Sequence, residues 1–170
     1  PHSLFLDSQR ASSKANHFDI DHVEIRSLET RATEMTAFVL QTVTDNYQRH
    51  EAVQKFMTFN DSATVAVEVP IILYPEDIAH LQNALGFNVP LSIPNFLTGH
   101  IDVLQIRNGQ IHILDYKPNA AKEKPIGQLM SYALAISRRS GLRIFDIVCA
   151  WFDEKDYFEF YPLHVIHKRR

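Results

Sequence analysis

The sequence predicts an α/β fold in which helices flank a central mixed β-sheet. Two apolar stripes at three- and four-residue spacing indicate helices over residues 27–49 and 125–141. β-Branched and aromatic runs between and after them indicate strands, and an Asn-Gly turn joins two of these strands into a hairpin. Helices and strands in this order are typical of a single α/β domain.

Length and composition are those of a folded globular domain. The chain has 170 residues, of which 45% are hydrophobic and 22% are charged, and its formal net charge is −3. This is not the basic balance of proteins that coat nucleic acid. Because the sequence contains no membrane-spanning run and no recognisable signal peptide, we expect no membrane partner and an intracellular location, in the cytoplasm or nucleoid. Because it starts at Pro1, we also expect further domains in a longer natural chain.

The first half of the chain is predicted to contain an arm, a helix and a strand. Residues 1–20 are polar without periodicity, so we expect a flexible N-terminal arm ahead of a single domain at 21–170. The apolar stripe predicts one helix over 27–49. Residues 64–73 are rich in β-branched side chains and predict a strand, which Pro70 favours at a sheet edge.

The second half of the chain begins with an expected helical insertion at 75–98, a short helix followed by a loop rich in Pro and Asn. The predicted elements after it are a strand at 99–106, a turn at Asn108–Gly109, a strand at 111–117, a helix at 125–141, and strands at 145–152 and 157–163.

Two acidic residues and a lysine surround the predicted hairpin. Asp102 lies on its first strand, and Asp115 and Lys117 lie two residues apart on its second strand, so their side chains leave the same face. Both acids interrupt apolar runs, where an isolated carboxylate is costly unless a cation or a partner accompanies it. Carboxylate oxygens are the ligands that Mg²⁺ prefers, and a nearby lysine can position or deprotonate water or stabilise developing charge.

Taken alone, Asp-x-Lys is a common tripeptide whose ordinary interpretation is a salt bridge within a sheet. The surrounding motifs change that interpretation, because five features follow one another in a specific order. They are Glu68 in a strand, Gly99-His100-Ile101-Asp102, the Asn108-Gly109 turn, Asp115-Tyr116-Lys117, and Gln128-x-x-x-Tyr132. In this order they resemble the PD-(D/E)XK nuclease superfamily, in particular its RecB-like branch.

The resemblance implies a restriction-endonuclease-like core and a nuclease that hydrolyses DNA with Mg²⁺ or Mn²⁺, in repair, recombination or processing. Asp102, Asp115 and the Tyr116 carbonyl would hold the metal, and Lys117 would be the catalytic lysine. Gln128 and Tyr132 lie one helical turn apart on one face and would order the site and contact DNA.

Three further acids are candidates through the same resemblance. Glu68 corresponds to the first-strand acid of the family, although an outward-facing strand carboxylate is an equal alternative. The family also places a Glu or His on its first helix near the metal. For that position we favour Glu34 over Glu29, and at most one of them is expected to serve.

The chain departs from the family pattern in three places. The RecB-like pattern often continues as Asp-Tyr-Lys-Thr-Gly, whereas here Pro118 follows Lys117 and removes a backbone donor. His100 replaces an arginine that is common in the family. Its two interpretations are a contact with phosphate and a merely exposed side chain, of which we favour the second. Cys149 is the one cysteine of the sequence, so no iron-sulfur cluster is expected, and its apolar surroundings predict burial.

Two questions stay open at the level of sequence. Phosphate contacts would come from a local basic patch, for which the candidates are Lys122, Lys124, Arg138, Arg139, Arg143 and the terminal Lys168-Arg169-Arg170. The main alternative function is a catalytically silent nuclease-fold module that binds DNA or a protein partner. An interaction domain with a purely structural Asp-Lys pair, or a phosphatase, is a more distant alternative, and the sequence has no Gly-rich phosphate loop.

Overall fold

The computed structural model describes residues 8–13, 18–43, 45–93 and 95–167. In this part of the chain seven strands form one mixed sheet with helices on both faces, which confirms the predicted fold class. The elements are β1 (Gln9–Arg10), β2 (Arg26–Ser27), α1 (Arg31–Leu40), α2 (Asn46–Asn60), β3 (Thr64–Leu73), α3 (Pro75–Asn83), β4 (Leu97–Arg107), β5 (Gln110–Tyr116), α4 (Ile126–Ser140), β6 (Ile147–Phe152), β7 (Tyr157–Phe160) and α5 (Pro162–Ile166).

Strand β4 is the centre of the sheet. The order is β1-β4-β5-β6-β7-β2, and β3 pairs antiparallel with the opposite edge of β4. Among the described residues β3 pairs with no other strand, so Pro70 lies on a sheet edge as predicted. The pairing of β5 with β6 is parallel, and helix α4 connects these two strands.

The β4–β5 hairpin forms as the Asn-Gly signal predicts. Asn108 and Gly109 have φ of 52° and 75°, the left-handed conformation that a two-residue hairpin turn of this type requires. The register runs from Arg107↔Gln110 to Val103↔Leu114. Beyond that point the two strands diverge. Among the described residues, the end of β5 pairs with β6 and no longer with β4. A gap therefore opens beside the first half of β4.

The two faces of the sheet have separate apolar cores. On β5, Ile113 packs into the core that contains Leu129 and Met130 of α4. Its neighbour Leu114 points to the other face, where it packs with Val53 and Met57 of α2. Successive side chains of one strand therefore pack against helices on opposite faces of the sheet.

The prediction of one helix over 27–49 is wrong. The structure has α1, which begins after the N-cap Thr30, and a separate helix α2, which continues to Asn60. No Gly or Pro marks the break, so the helical spacing of apolar residues continues across it in the sequence. The second half of α2 escaped prediction because its buried face carries the polar Gln54 beside Val53 and Met57.

The N-terminal segment also differs from a flexible arm where it is described. Gln9 and Arg10 pair with Leu97 and Thr98 of β4, and Ala11 is buried with 1% exposure. Residues 1–7 and 14–17 of the expected arm lie outside the described residues. The pairing was not predicted because two-residue strands have no periodicity to detect.

Smaller differences concern the ends of elements. Helix α3 lies inside the expected insertion, and α4 ends at Gly141, whose φ of 73° fits its predicted role as a helix stop. A 3-10 turn at Ile144–Asp146 precedes β6. Strand β7 is shorter than predicted, because Pro162 starts the short helix α5. In the described part of the chain, no helix combines the length and apolar character needed to cross a membrane.

Candidate metal centre

The gap between β4 and β5 forms a cleft of about 300 Å³. The hairpin brings Asp102 of β4 and Asp115 of β5 to this cleft, together with Lys117 immediately after β5. Helix α4 supplies Gln128 and Tyr132. All five side chains that the sequence assigned to catalysis therefore line one cleft.

Asp115 lies at the bottom of the cleft with 1% exposure. Its Oδ2 is 2.7 Å from Nζ of Lys117, and its Oδ1 accepts a hydrogen bond of 3.1 Å from Nε2 of Gln128. Among the described residues Oδ2 accepts no hydrogen bond of regular geometry, so the lysine holds it by charge.

Asp102 contacts both the end of β5 and helix α2, which packs on the opposite face of the sheet from α4. Its Oδ2 accepts a hydrogen bond of 2.8 Å from the backbone nitrogen of Tyr116, across the point where the strands diverge. The same oxygen is 3.5 Å from Nδ1 of His50 in α2. The carboxylate thus fixes the Asp-Tyr-Lys segment and faces an imidazole.

The neighbouring carboxylates of Asp102 and Asp115 shift the pKa values of groups in the cleft. Burial, and then the neighbouring carboxylate of Asp102, raise the pKa of Asp115 above its ordinary range. The contact with Asp102 raises the pKa of His50, against the opposing effect of burial. A buried carboxylate with a second carboxylate beside it favours a cation between the two.

Gln128 and Tyr132 act together on one face of α4. Nε2 of Gln128 also donates a hydrogen bond of 2.9 Å to the Tyr132 hydroxyl, so the amide joins the phenol to Asp115. Burial raises the pKa of Tyr132, which keeps the phenol neutral. The pair orients the Asp115 carboxylate from the helix side.

The three further acids that were candidates do not line the cleft. Glu34 lies on α1 beside a separate depression with Phe38 and Phe56, which corrects its assignment to the metal site. Glu68 lies between the pairs Val67↔Val103 and Val69↔Ile101 of the β3–β4 register, but it is exposed and accepts a hydrogen bond from Gln54 of α2. Its φ of 51° is strained for a strand residue, so the backbone is distorted beside the centre. Glu29, the second choice, precedes α1 and is also outside the cleft lining.

His50 is the helix residue that the structure places at the centre instead of Glu34. It was missed because the predicted helix ended one residue before it. The spacing of His50, Val53, Gln54 and Met57 is a helical face that points to it. Arg10, Ser12 and Thr98 also line the cleft and carried no sequence signal.

The other sequence candidates fall into two groups. His100 is exposed and lines the cleft, and Lys124 lines a second depression that adjoins it. By contrast, Arg138 and Arg139 form ion pairs with the buried Asp77, and Arg143 pairs with Asp146. Cys149 is buried as predicted, and residues 168–170 lie outside the described residues.

A family model matches most of the chain. The model of the PD-(D/E)XK nuclease superfamily matches residues 7–152, which include every element of the cleft. The chain belongs to the PD-(D/E)XK nuclease superfamily. No curated protein matches the chain significantly. PD-(D/E)XK proteins are generally nucleases, so the family indicates phosphodiester hydrolysis and contact with nucleic acid.

The residues of this PD-(D/E)XK cleft fit a hard divalent cation. Asp115 Oδ2 is buried and held only by Lys117 among the described residues, and Asp102 adds a second carboxylate. In the described part of the chain no group of three or more His, Cys, Asp or Glu side chains could hold a metal ion. An open site of one or two carboxylates completed by water and substrate is the arrangement that Mg²⁺ takes at phosphates.

Proposed function

We propose that the chain is a nuclease of the RecB-like branch that hydrolyses DNA phosphodiester bonds with Mg²⁺ or Mn²⁺. The observation that carries the proposal is the meeting of Asp102, Asp115 and Lys117 in one cleft, with Lys117 Nζ 2.7 Å from Asp115. A role in DNA repair, recombination or processing is part of the same proposal.

Three groups of this chain are the proposed metal ligands. Asp102 and Asp115 provide carboxylate oxygens, and the carbonyl of Tyr116 lies between Asp115 and Lys117 in sequence. His50 of α2, with Nδ1 3.5 Å from Oδ2 of Asp102, is the proposed orienting partner of that carboxylate. When bound, the metal would polarise the phosphodiester and lower the pKa of a water molecule.

Lys117 is the proposed catalytic cation. In hydrolysis the water oxygen bonds to phosphorus, the bond to the leaving oxygen breaks, and a proton from water passes to the leaving side. Negative charge grows on the phosphoryl oxygens during this step. An ammonium fixed in place by Asp115 stabilises that charge without reorganisation, which is the most effective form of electrostatic catalysis.

Gln128 and Tyr132 are the proposed orienting residues. The amide of Gln128 donates to both Asp115 and the phenol, so the carboxylate keeps one orientation. A fixed carboxylate in turn fixes Lys117, and catalysis is sensitive to misplacements of about 1 Å.

The experiment is a cleavage assay of the purified chain on linear, circular and single-stranded DNA, and on RNA, with Mg²⁺ or Mn²⁺. We expect cleavage of DNA, and a rate at least about a hundredfold lower for Asp115→Asn and for Lys117→Ala. Lys155→Ala is the matched control, because Lys155 is exposed in the β6–β7 turn, and it should cut like the wild type.

The outcomes separate the alternatives. If the wild type cuts none of these substrates with either metal but binds DNA, the chain is a non-cleaving binding module. Cleavage of RNA alone would correct the substrate. Cleavage at the wild-type rate by Asp115→Asn would show that the chemistry takes place elsewhere.

A further inference from the structure

The N-terminal strand completes one wall of the cleft. Strand β5 pairs with β4 only from Val103 onward, so it leaves the first half of that β4 edge uncovered. Strand β1 pairs with this edge, with Gln9 opposite Leu97 and Arg10 opposite Thr98. A segment far from the catalytic motifs in sequence therefore borders the metal centre.

The position of this wall is fixed by burial and pairing. Ala11 has 1% exposure and packs into the core on the α4 face. The hydroxyls of Ser8 and Thr98 are in hydrogen-bond contact, and Thr98 is buried. Arg10 and Ser12 flank Ala11 and line the cleft, so Arg10 is held at the site by the backbone.

A second depression continues the cleft past Lys117. It is lined by Ser12, Lys117 and Gln128, which also line the cleft, and by Lys124. Arg10 lines only the cleft, and Lys124 only the second depression. The two depressions form one trough, in which Lys117 lies between the two cations.

A phosphate backbone in the trough needs cations such as Arg10 and Lys124, because carboxylates also line it. Asp102 and Asp115 of the cleft and Glu123 of the second depression repel a phosphate backbone. Lys117 is engaged with Asp115. Lys124 is exposed and forms no ion pair among the described residues. A guanidinium binds phosphate through paired hydrogen bonds, and a lysine binds it as a point charge.

We propose that two residues outside the catalytic motifs, Arg10 and Lys124, bind the phosphates on the two sides of the scissile one. Arg10 binds the phosphate on one side, and Lys124 binds the phosphate on the other side. This inference rests on the proposed nuclease function and extends it, because it assigns the contacts with the flanking phosphates to two residues. A small diester with one phosphate engages neither cation and is a poor substrate.

The test compares two substrates for each variant. One is a single-stranded oligonucleotide, and the other is the p-nitrophenyl ester of thymidine 5′-monophosphate, which has no flanking phosphate. For Arg10→Gln and Lys124→Gln we expect the KM for the oligonucleotide to rise about tenfold, with kcat nearly unchanged. The preference for the oligonucleotide over the small ester should fall by the same factor, and the two effects should multiply in the double variant.

Binding provides a second readout that does not need turnover. In the Asp115→Asn background, the slope of log Kd against log salt should fall by about 1 for each of the two variants. Matched controls are Lys122→Gln, in the same loop as Lys124 but outside both depressions, and Arg143→Gln, which pairs with Asp146 on another surface. Neither control should change the slope.

The outcomes distinguish this inference from the proposed function. If the wild type cleaves neither substrate and binds no oligonucleotide, the nuclease proposal itself fails. If the wild type cleaves or binds the oligonucleotide and the two variants match it in KM and salt slope, the phosphate contacts are refuted. Equal losses on both substrates, with an unchanged salt slope, would show that Arg10 and Lys124 only support the structure.

Discussion

The backbone at Gly99 lies so close to the ring of Tyr132 that it leaves no room for a side chain. A Cβ at this position would lie 2.5 Å from Cε1 and 3.2 Å from Cζ of Tyr132. Real carbon atoms do not approach that closely, so any side chain at 99 must displace the ring. The glycine of the Gly-x-Ile-Asp motif is therefore required because the phenol packs directly on the β4 backbone.

The first prediction is that Gly99→Ala impairs cleavage through Tyr132. A displaced phenol separates from Gln128, which then loses its fixed position at Asp115. We expect a loss of about 1–3 kcal/mol of stability from overpacking and a fall in cleavage of at least about tenfold. Urea unfolding and the cleavage assay measure the two effects. Gly99→Ala combined with Tyr132→Leu should recover stability and not activity, and recovery of both would contradict this explanation.

His112 provides a residue-scale prediction about pH. It is 8% exposed on the α2 face of β5, where its Nδ1 accepts a hydrogen bond from Arg107. Burial, and then the charge of Arg107, lower its pKa from 6.5 to about 4. Between pH 6.5 and about 4, His112 binds a proton in the unfolded chain but not in the folded chain. The free energy of unfolding therefore falls as pH falls.

The second prediction is therefore that His112→Gln flattens the pH profile of stability between about 6.5 and 4. The amide keeps an acceptor for Arg107 and does not titrate. Over this window the wild type should lose about 3 kcal/mol more than the variant, as measured by urea unfolding at closely spaced pH values. Parallel profiles would show that His112 takes up its proton in the folded state.

At the scale of elements, the segment after Lys117 is organised by the β6–β7 turn. Asp153 has 3% exposure, and its Oδ2 accepts a hydrogen bond of 2.7 Å from the backbone nitrogen of Ala120. Its Oδ1 accepts hydrogen bonds from the backbone nitrogens of Lys155 and Asp156. One carboxylate thus holds both the turn and the segment that leads from Lys117 to α4.

The third prediction is that Asp153→Ala destabilises the chain by about 3 kcal/mol, because it leaves the buried nitrogen of Ala120 without an acceptor. Urea unfolding measures the change. Asp156→Ala is the control in the same turn, and it should stay within about 0.5 kcal/mol of the wild type. Equal stabilities for Asp153→Ala and the wild type would mean that water or another group satisfies Ala120.

Elements were predictable from the sequence where their signals are local. The hairpin carries its own turn residues, so Asp102, Asp115 and Lys117 could be placed around it before the structure was known. Helix α4 carries an apolar stripe and a glycine stop, which placed Gln128 and Tyr132 on one face. Arg10 reaches the cleft through the pairing of β1 with β4 and gave no such signal. His50 lies on a helical face that the predicted helix, which ended at Arg49, did not include, so Glu34 was preferred to it.

At the scale of the whole molecule, the site exists because β4 and β5 pair at one end and diverge at the other. The apolar cores on the two faces hold α4 and α2 against the sheet, and each helix delivers side chains to the gap. Asp102 is placed at the divergence, where it binds the Tyr116 backbone and faces His50. The central claim is that this arrangement holds a divalent metal between Asp102 and Asp115.

The most direct test of that claim is a calorimetric titration of Mg²⁺ and Mn²⁺ into the wild type and Asp102→Asn. The asparagine keeps an acceptor for the Tyr116 nitrogen and removes the charge, and Asp156→Asn serves as control. We predict binding by the wild type and the control, and an affinity lower by more than about a hundredfold in Asp102→Asn. Equal binding by all three proteins, or none by the wild type even with a cleavage-resistant phosphorothioate oligonucleotide present, would contradict the claim.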